Sequence, residues 1–198
     1  ILDEMTLDEK ISQITESWGI AGAERVGVPP LYKGECVHGY SYGTGCTVFP
    51  QAIAMAATWS RDTVHEIGHV TGVESKAANA YQAWSPVLDV ARDPRWGRVE
   101  ESFGEDTYLV TEIGLSWIDG YQELGLTATP KHFAAHGSPL GGRDSNIVGY
   151  SDRVLREVHF PPFRAAVKKS HVKSLMSAYH VIDGVPCSAS HALLQKLL

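Results

Sequence analysis

Small or apolar residues fall at positions 64, 67, 68, 71, 75 and 78, a one-sided stripe at helical period, and Ser60 precedes them as an N-cap candidate. The spacing predicts a helix over 61–79. A second stripe, Leu109, Ile113, Trp117 and Tyr121 at steps of four, follows Asp106 as cap, with Gly125 placed to stop it. Between and after these helices lie short apolar runs, AWSPVLDV (83–90), LTATP (126–130) and VKSLMSAY (172–179), each of strand length. Runs of this kind alternating with helices predict βα units around a parallel sheet. Each run ends in polar residues, and ligands of such sheets sit at the C-terminal ends of the strands, where loops converge.

The 198-residue chain is 43% hydrophobic and 20% charged, enough apolar content for one folded domain or a piece of one. A net charge of −6 supplies no basic stripe and argues against nucleic acid or an anionic membrane as the main partner. Cys36, Cys46 and Cys187 are odd in number and include no CxxC pair, so neither a disulfide framework nor a zinc knuckle is expected. ILDEMTLDEKISQ reads as the start of an amphipathic helix rather than a signal peptide, and no segment has the length of a membrane span. The first residue is Ile, and the final SHALLQKLL is a helical pattern without a C-cap signal; both ends are expected to be cuts in a longer chain.

TVHEIGHV contains HExxH: His65, Glu66 and His69. On a helix this pattern holds zinc with the glutamate as base. Here the imidazoles share a side with Lys76, whose charge opposes a metal, and Gly68 weakens the helix. A solvated helix face is the preferred reading, with a zinc peptidase as the weaker alternative.

A denser signal is SPVLDVARDPRWGRVEESFGED, which crowds Asp89, Arg92, Asp93, Arg95, Arg98, Glu100, Glu101, Glu105 and Asp106. Weak ion pairs on a solvated loop account for part of it. The functional alternative sends one arginine into a pocket, where its planar fork donates to two neighbouring hydroxyls. With Arg98, Lys131, His132 and Arg143 as donors at strand ends and Glu35 as acceptor, the set matches the vicinal hydroxyls of a pyranose. Trp96 or Trp84 is available to offer a ring face.

The ordered motifs GECVHG, GCTVFPQAIAMAATW, SPVLDVARDPRWGRVEESFGED, KHFAAHG and SLMSAYHVIDGVPCSASHALL resemble the N-terminal barrel domain of glycoside hydrolase family 3, the β-glucosidase and β-xylosidase group, along nearly the whole chain. The resemblance implies an α/β fold, a partial (β/α)8 TIM-type barrel truncated at its C-terminal side, with residues 1–198 forming an incomplete family 3 N-terminal domain. It implies retaining hydrolysis of terminal β-D-glucosides or β-D-xylosides by the full-length parent, a small-molecule sugar or oligosaccharide as partner, and no cofactor or metal. By motif position, Arg98, Lys131 and His132 bind hydroxyls of the terminal sugar. Glu35 falls before the HG of an xHG motif, Arg143 near the same subsite, and Met176 and Tyr179 at a strand end lining the pocket floor. Where relatives carry Asn after that tyrosine, this chain has His180.

In the family the nucleophilic aspartate lies about a dozen residues beyond the LL that ends this chain, and the acid/base usually comes from a later domain. No catalytic residue is therefore expected within residues 1–198, since retaining chemistry needs two carboxyl groups roughly 5–5.5 Å apart. The missing part of the barrel and the later domain count as partners. Without them, open sheet edges and apolar faces are expected to make the isolated chain poorly soluble. A non-catalytic sugar-binding module is the alternative from a different functional class.

Overall fold

The computed structural model describes residues 1–15 and 19–197. Helix α1 (Leu7–Ile14) opens with a reciprocal capping box between Thr6 and Glu9. Strand β1 (Gly19–Ile20) pairs antiparallel with β2 (Leu31–Gly34). From β2 onward the order is α2 (Ala52–Ala57) and α3 (Arg61–Ala77), β3 (Gln82–Ala83), α4 (Thr107–Gln122), then β4 (Thr127–Ala128) and β5 (Lys131–Phe133); the run expected as a strand over 83–90 is strand only at its start, with isolated bridges further on at Val87. A three-residue turn α5 (Asp152–Val154) runs through a π-type stretch, Leu155–His159, into α6 (Pro161–Lys168), which leads to β6 (Met176–Ser177). A hairpin of β7 (Val181–Ile182) and β8 (Val185–Pro186) follows. The helical expectation for SHALLQKLL is met by a π-type segment, Ala192–Leu197; Leu198 lies outside the described residues.

Strands β2, β3 and β4 form parallel neighbours, and β5 pairs in parallel with β6, so successive strand positions lie side by side in chain order. Val87 bridges to Lys131 and carries the β3 line alongside β5. This is one side of a (β/α)8-type barrel, with the helices packed outside. Both expected caps are made: Ser60 accepts from the Thr63 N–H at 3.2 Å and Asp106 from the Leu109 N–H at 2.7 Å. Gly125, with φ of 79°, takes the left-handed conformation just past α4.

Helices α3 and α4 pack backbone to backbone. A Cβ at Gly68 would run into the Trp117 carbonyl oxygen, and one at Gly120 into that of His65. Gly68 thus trades helix propensity for a close crossing, a role that its local sequence does not reveal. The close crossing also corrects the expectation for the HExxH face. His65 and His69 do not simply face solvent: both turn to Glu123 at the end of α4, and Lys76 Nζ donates to the Leu124 carbonyl at 2.9 Å. Among the described residues no group of three His, Cys, Asp or Glu side chains is arranged to hold a metal ion, and no helix is long and apolar enough to cross a membrane.

Candidate functional site

At the C-terminal end of β2, Glu35 turns its carboxylate inward. Oε1 accepts from the Cys36 N–H at 2.9 Å and the Ser85 hydroxyl at 2.7 Å, and Oε2 from Lys131 Nζ at 2.5 Å. Lys131 starts β5 and is 3% exposed, so this ion pair joins two strand ends and neutralises an otherwise buried ammonium.

Arg98 comes from the charged stretch after β3. Its Nε and one terminal nitrogen grip Glu101 at 2.8 and 2.7 Å, a bidentate pair. The same terminal nitrogen donates to His132 Nε2 at 3.2 Å, and the other to His136 Nε2 at 3.3 Å. Glu101 raises the Arg98 pKa further. Burial pushes the Glu101 carboxyl up, but the Arg98 guanidinium outweighs it and holds the acid below its usual range. Four of the five N–H donors of the guanidinium are therefore taken within the protein. One remains for a ligand, not the two that a fork across vicinal hydroxyls requires.

Behind Arg98, Asp89 is fully buried and accepts three hydrogen bonds, from the backbone N–H groups of His132 and His136, both at 3.1 Å, and from the His132 ring at 2.7 Å. Burial raises its pKa, and the two histidines more than reverse that, leaving it lowered. His136 stacks on His180 with Nδ1 atoms 3.3 Å apart, and burial drives its pKa down to about 4. Asp144 accepts from Trp96 Nε1 at 2.6 Å, fixing the loop that follows β5.

A cleft of about 330 Å³ is lined by Glu35, Val37, His38, Gln51, Arg98, Glu100 and Glu101. Glu35 and Arg98 thus share one hollow, whereas Lys131, His132 and Arg143, which the sequence groups with them, are absent from its lining. Lys131 and His132 stand behind its wall, each 3% exposed, as supports of Glu35 and Arg98. Met176 lies in β6 beside Lys131. Tyr179 is 74% exposed, its ring 6.1 Å from that of His136, and Arg143 is exposed on the loop beyond β5, outside the cleft lining. Trp96 is buried in the core, so it offers no face to a sugar. Sequence reasoning passed over Asp89 and Glu101 as site residues, although Glu101 stands three positions after Arg98, the spacing at which an acid reaches back to an arginine on a helical turn. His136 had no signal of its own.

A profile of the glycosyl hydrolase family 3 N-terminal domain matches residues 3–198. A β-xylosidase from Formosa agariphila is 39% identical over 211 residues, covering 100% of this chain and 29% of that protein. A β-glucosidase from Rhizobium radiobacter is 35% identical, covering 100% and 25%. Among solved structures, β-glucosidase from Kluyveromyces marxianus in complex with glucose superposes with a TM-score of 0.89 at 33% identity, over 98% of this chain and 24% of that one. The chain spans roughly a quarter to a third of the length of these relatives.

Proposed function

Because the chain belongs to glycosyl hydrolase family 3, we propose that it supplies the sugar-binding side of a retaining β-glycosidase acting on terminal β-D-glucosides or β-D-xylosides. The observation that carries this reading is the shared cleft of Glu35 and Arg98, an acceptor from the end of β2 and a donor from the charged stretch between β3 and α4. Lys131 and His132 support the pair from behind, with Met176 beside Lys131 in β6; Arg143 and Tyr179 belong to the loops from which further contacts to a bound oligosaccharide would come.

Three carboxylates here are already committed, Glu35 to Lys131, Glu101 to Arg98 and Asp89 to His132, which leaves Glu100 alone among the described residues of the cleft lining, with no second carboxylate there to pair with it. Attack on the anomeric carbon and protonation of the leaving oxygen need two carboxyl groups free for those steps. We assign both to other parts of a longer protein, in which residues 1–198 form part of the first domain. An open groove of about 630 Å³, lined by Phe133, Phe160, Phe163 and Leu197 with Arg156, Arg164, Lys168 and Lys169 among them, is our candidate for the surface on which the continuing barrel would pack.

The test is hydrolysis of aryl β-D-glucosides and β-D-xylosides by the longer protein. The reading predicts release of one of the two sugars with retained anomeric configuration, and at least about a tenfold loss of kcat/KM in Arg98→Ala. Inversion, or full activity in that variant, overturns it.

A further inference from the structure

The hydrogen-bond pattern around Arg98 fixes where protons sit. A guanidinium only donates, so His132 Nε2, at 3.2 Å, accepts from it, whereas His136 Nε2 is shared between the guanidinium at 3.3 Å and the Asp144 carboxylate at 3.4 Å. His132 then carries its proton on Nδ1, where Asp89 Oδ2 accepts it. The chain of donors runs outward from Arg98 and ends, on the His132 side, at a single buried carboxylate.

We infer that Asp89 is a positioning residue for the cleft: by holding His132 as its Nδ1–H tautomer it keeps a lone pair aimed at Arg98, and so sets which guanidinium N–H is left for substrate. Asp89 itself does not line the cleft and touches no ligand there. Its two backbone bonds, to residues 132 and 136, hold the segment that carries both imidazoles, so side-chain direction and proton placement are set by the same group. The inference rests on the sugar-site reading for its consequence in binding, but the tautomer stands or falls independently of any sugar.

The tautomer is the direct test. Long-range ¹H–¹⁵N spectra of the chain should show His132 as the Nδ1–H form, and an Nε2–H form overturns the inference. Asp89→Asn can keep the two Oδ2 bonds with its carbonyl only by setting its own N–H against that of His136, so it disturbs the segment that carries both imidazoles and is read by affinity.

Affinity for glucose or xylose supplies the second readout. Asp89→Asn should weaken it about tenfold when Arg98 is present and less than about twofold in an Arg98→Ala background; equal losses in both would mean that Asp89 does not act through Arg98. Should Asp89→Asn fail to fold, His132→Gln and His132→Met replace it. The glutamine carbonyl can accept from Arg98 in place of Nε2, so it should hold affinity within about threefold, while the thioether should lose about tenfold. Equal losses overturn the inference. Failure of the longer protein to bind either sugar, with the expected tautomer in place, would refute the sugar-site reading and leave the proton placement standing.

Discussion

Lys131 and Glu35, 96 residues apart in the chain, meet at 2.5 Å behind the floor of the cleft. The lysine is almost wholly buried, so its ammonium depends on this one carboxylate. Glu35→Ala would leave an uncompensated buried charge and is expected to cost about 3–5 kcal/mol. Glu35→Gln keeps the hydrogen bond from Ser85 but not the charge, so it should lose less. Chemical denaturation of the two variants checks the order; equal stability of Glu35→Ala and the parent contradicts the buried-pair account.

The crossing of α3 and α4 gives a second expectation. Gly68→Ala and Gly120→Ala both improve helix propensity by about 1 kcal/mol. Each adds a methyl group directly against a carbonyl oxygen of the facing helix. Overpacking against rigid backbone costs about 1–3 kcal/mol or more, so both should destabilise on balance, whereas the open Gly97 should tolerate alanine. Thermal melts of the three variants decide it, and a higher Tm for Gly68→Ala contradicts the packing argument.

Those glycines also mark where the sequence was legible. Ser60 and Asp106 cap the next turn of their own helices, and the stripes at 64–78 and 109–121 are set by local periodicity, so helices and βα order could be read directly. Gly68 answers to Trp117, 49 positions later, and was read only as a weak helix residue. In the same way, the cleft pair Glu35 and Arg98 was visible as chemistry at strand ends. The division of labour was not, because it depends on which atoms Asp89 and Glu101 occupy. His132, by its motif a sugar contact, has both ring nitrogens against protein groups, Arg98 and Asp89.

Acid should loosen this molecule in a defined window. Burial lowers the pKa of His136 and of His159 to about 4, against about 6.5 in the unfolded chain. A folded pKa below the unfolded one means that the unfolded state binds protons first. Stability is complete above about pH 6.5 and is lost as the pH falls from there through about 4. The carboxylates held low, Asp89, Glu101 and Asp144, lose their contributions only at lower pH still. Tm should drop by about 10 °C between about pH 7 and pH 5; a flat profile over that range contradicts the buried neutral imidazoles.

His159 contributes to that loss without any visible compensation. It is fully buried, stacked on Tyr150 with ring centroids 5.2 Å apart, and neither ring nitrogen has a hydrogen-bond partner among the described residues. Replacing it with Phe keeps the stack and removes two unpaired polar atoms. His159→Phe is expected to stabilise by about 1–2 kcal/mol at neutral pH, with a larger gain at pH 5. A loss of stability on denaturant titration would show that the imidazole nitrogens are in fact engaged.

Glu35 at the end of β2 and Arg98 in the stretch after β3 are proposed to form one sugar-binding cleft. Titrating the ¹⁵N-labelled chain with glucose and with xylose tests it most directly, because the spectrum locates the response. The account predicts saturable shifts of the Arg98 side-chain N–H and of the amides of His38 and Glu101, with the α3 face of His65 and His69 unmoved. Shifts centred on another surface, or no response to either sugar from a folded chain, would contradict it.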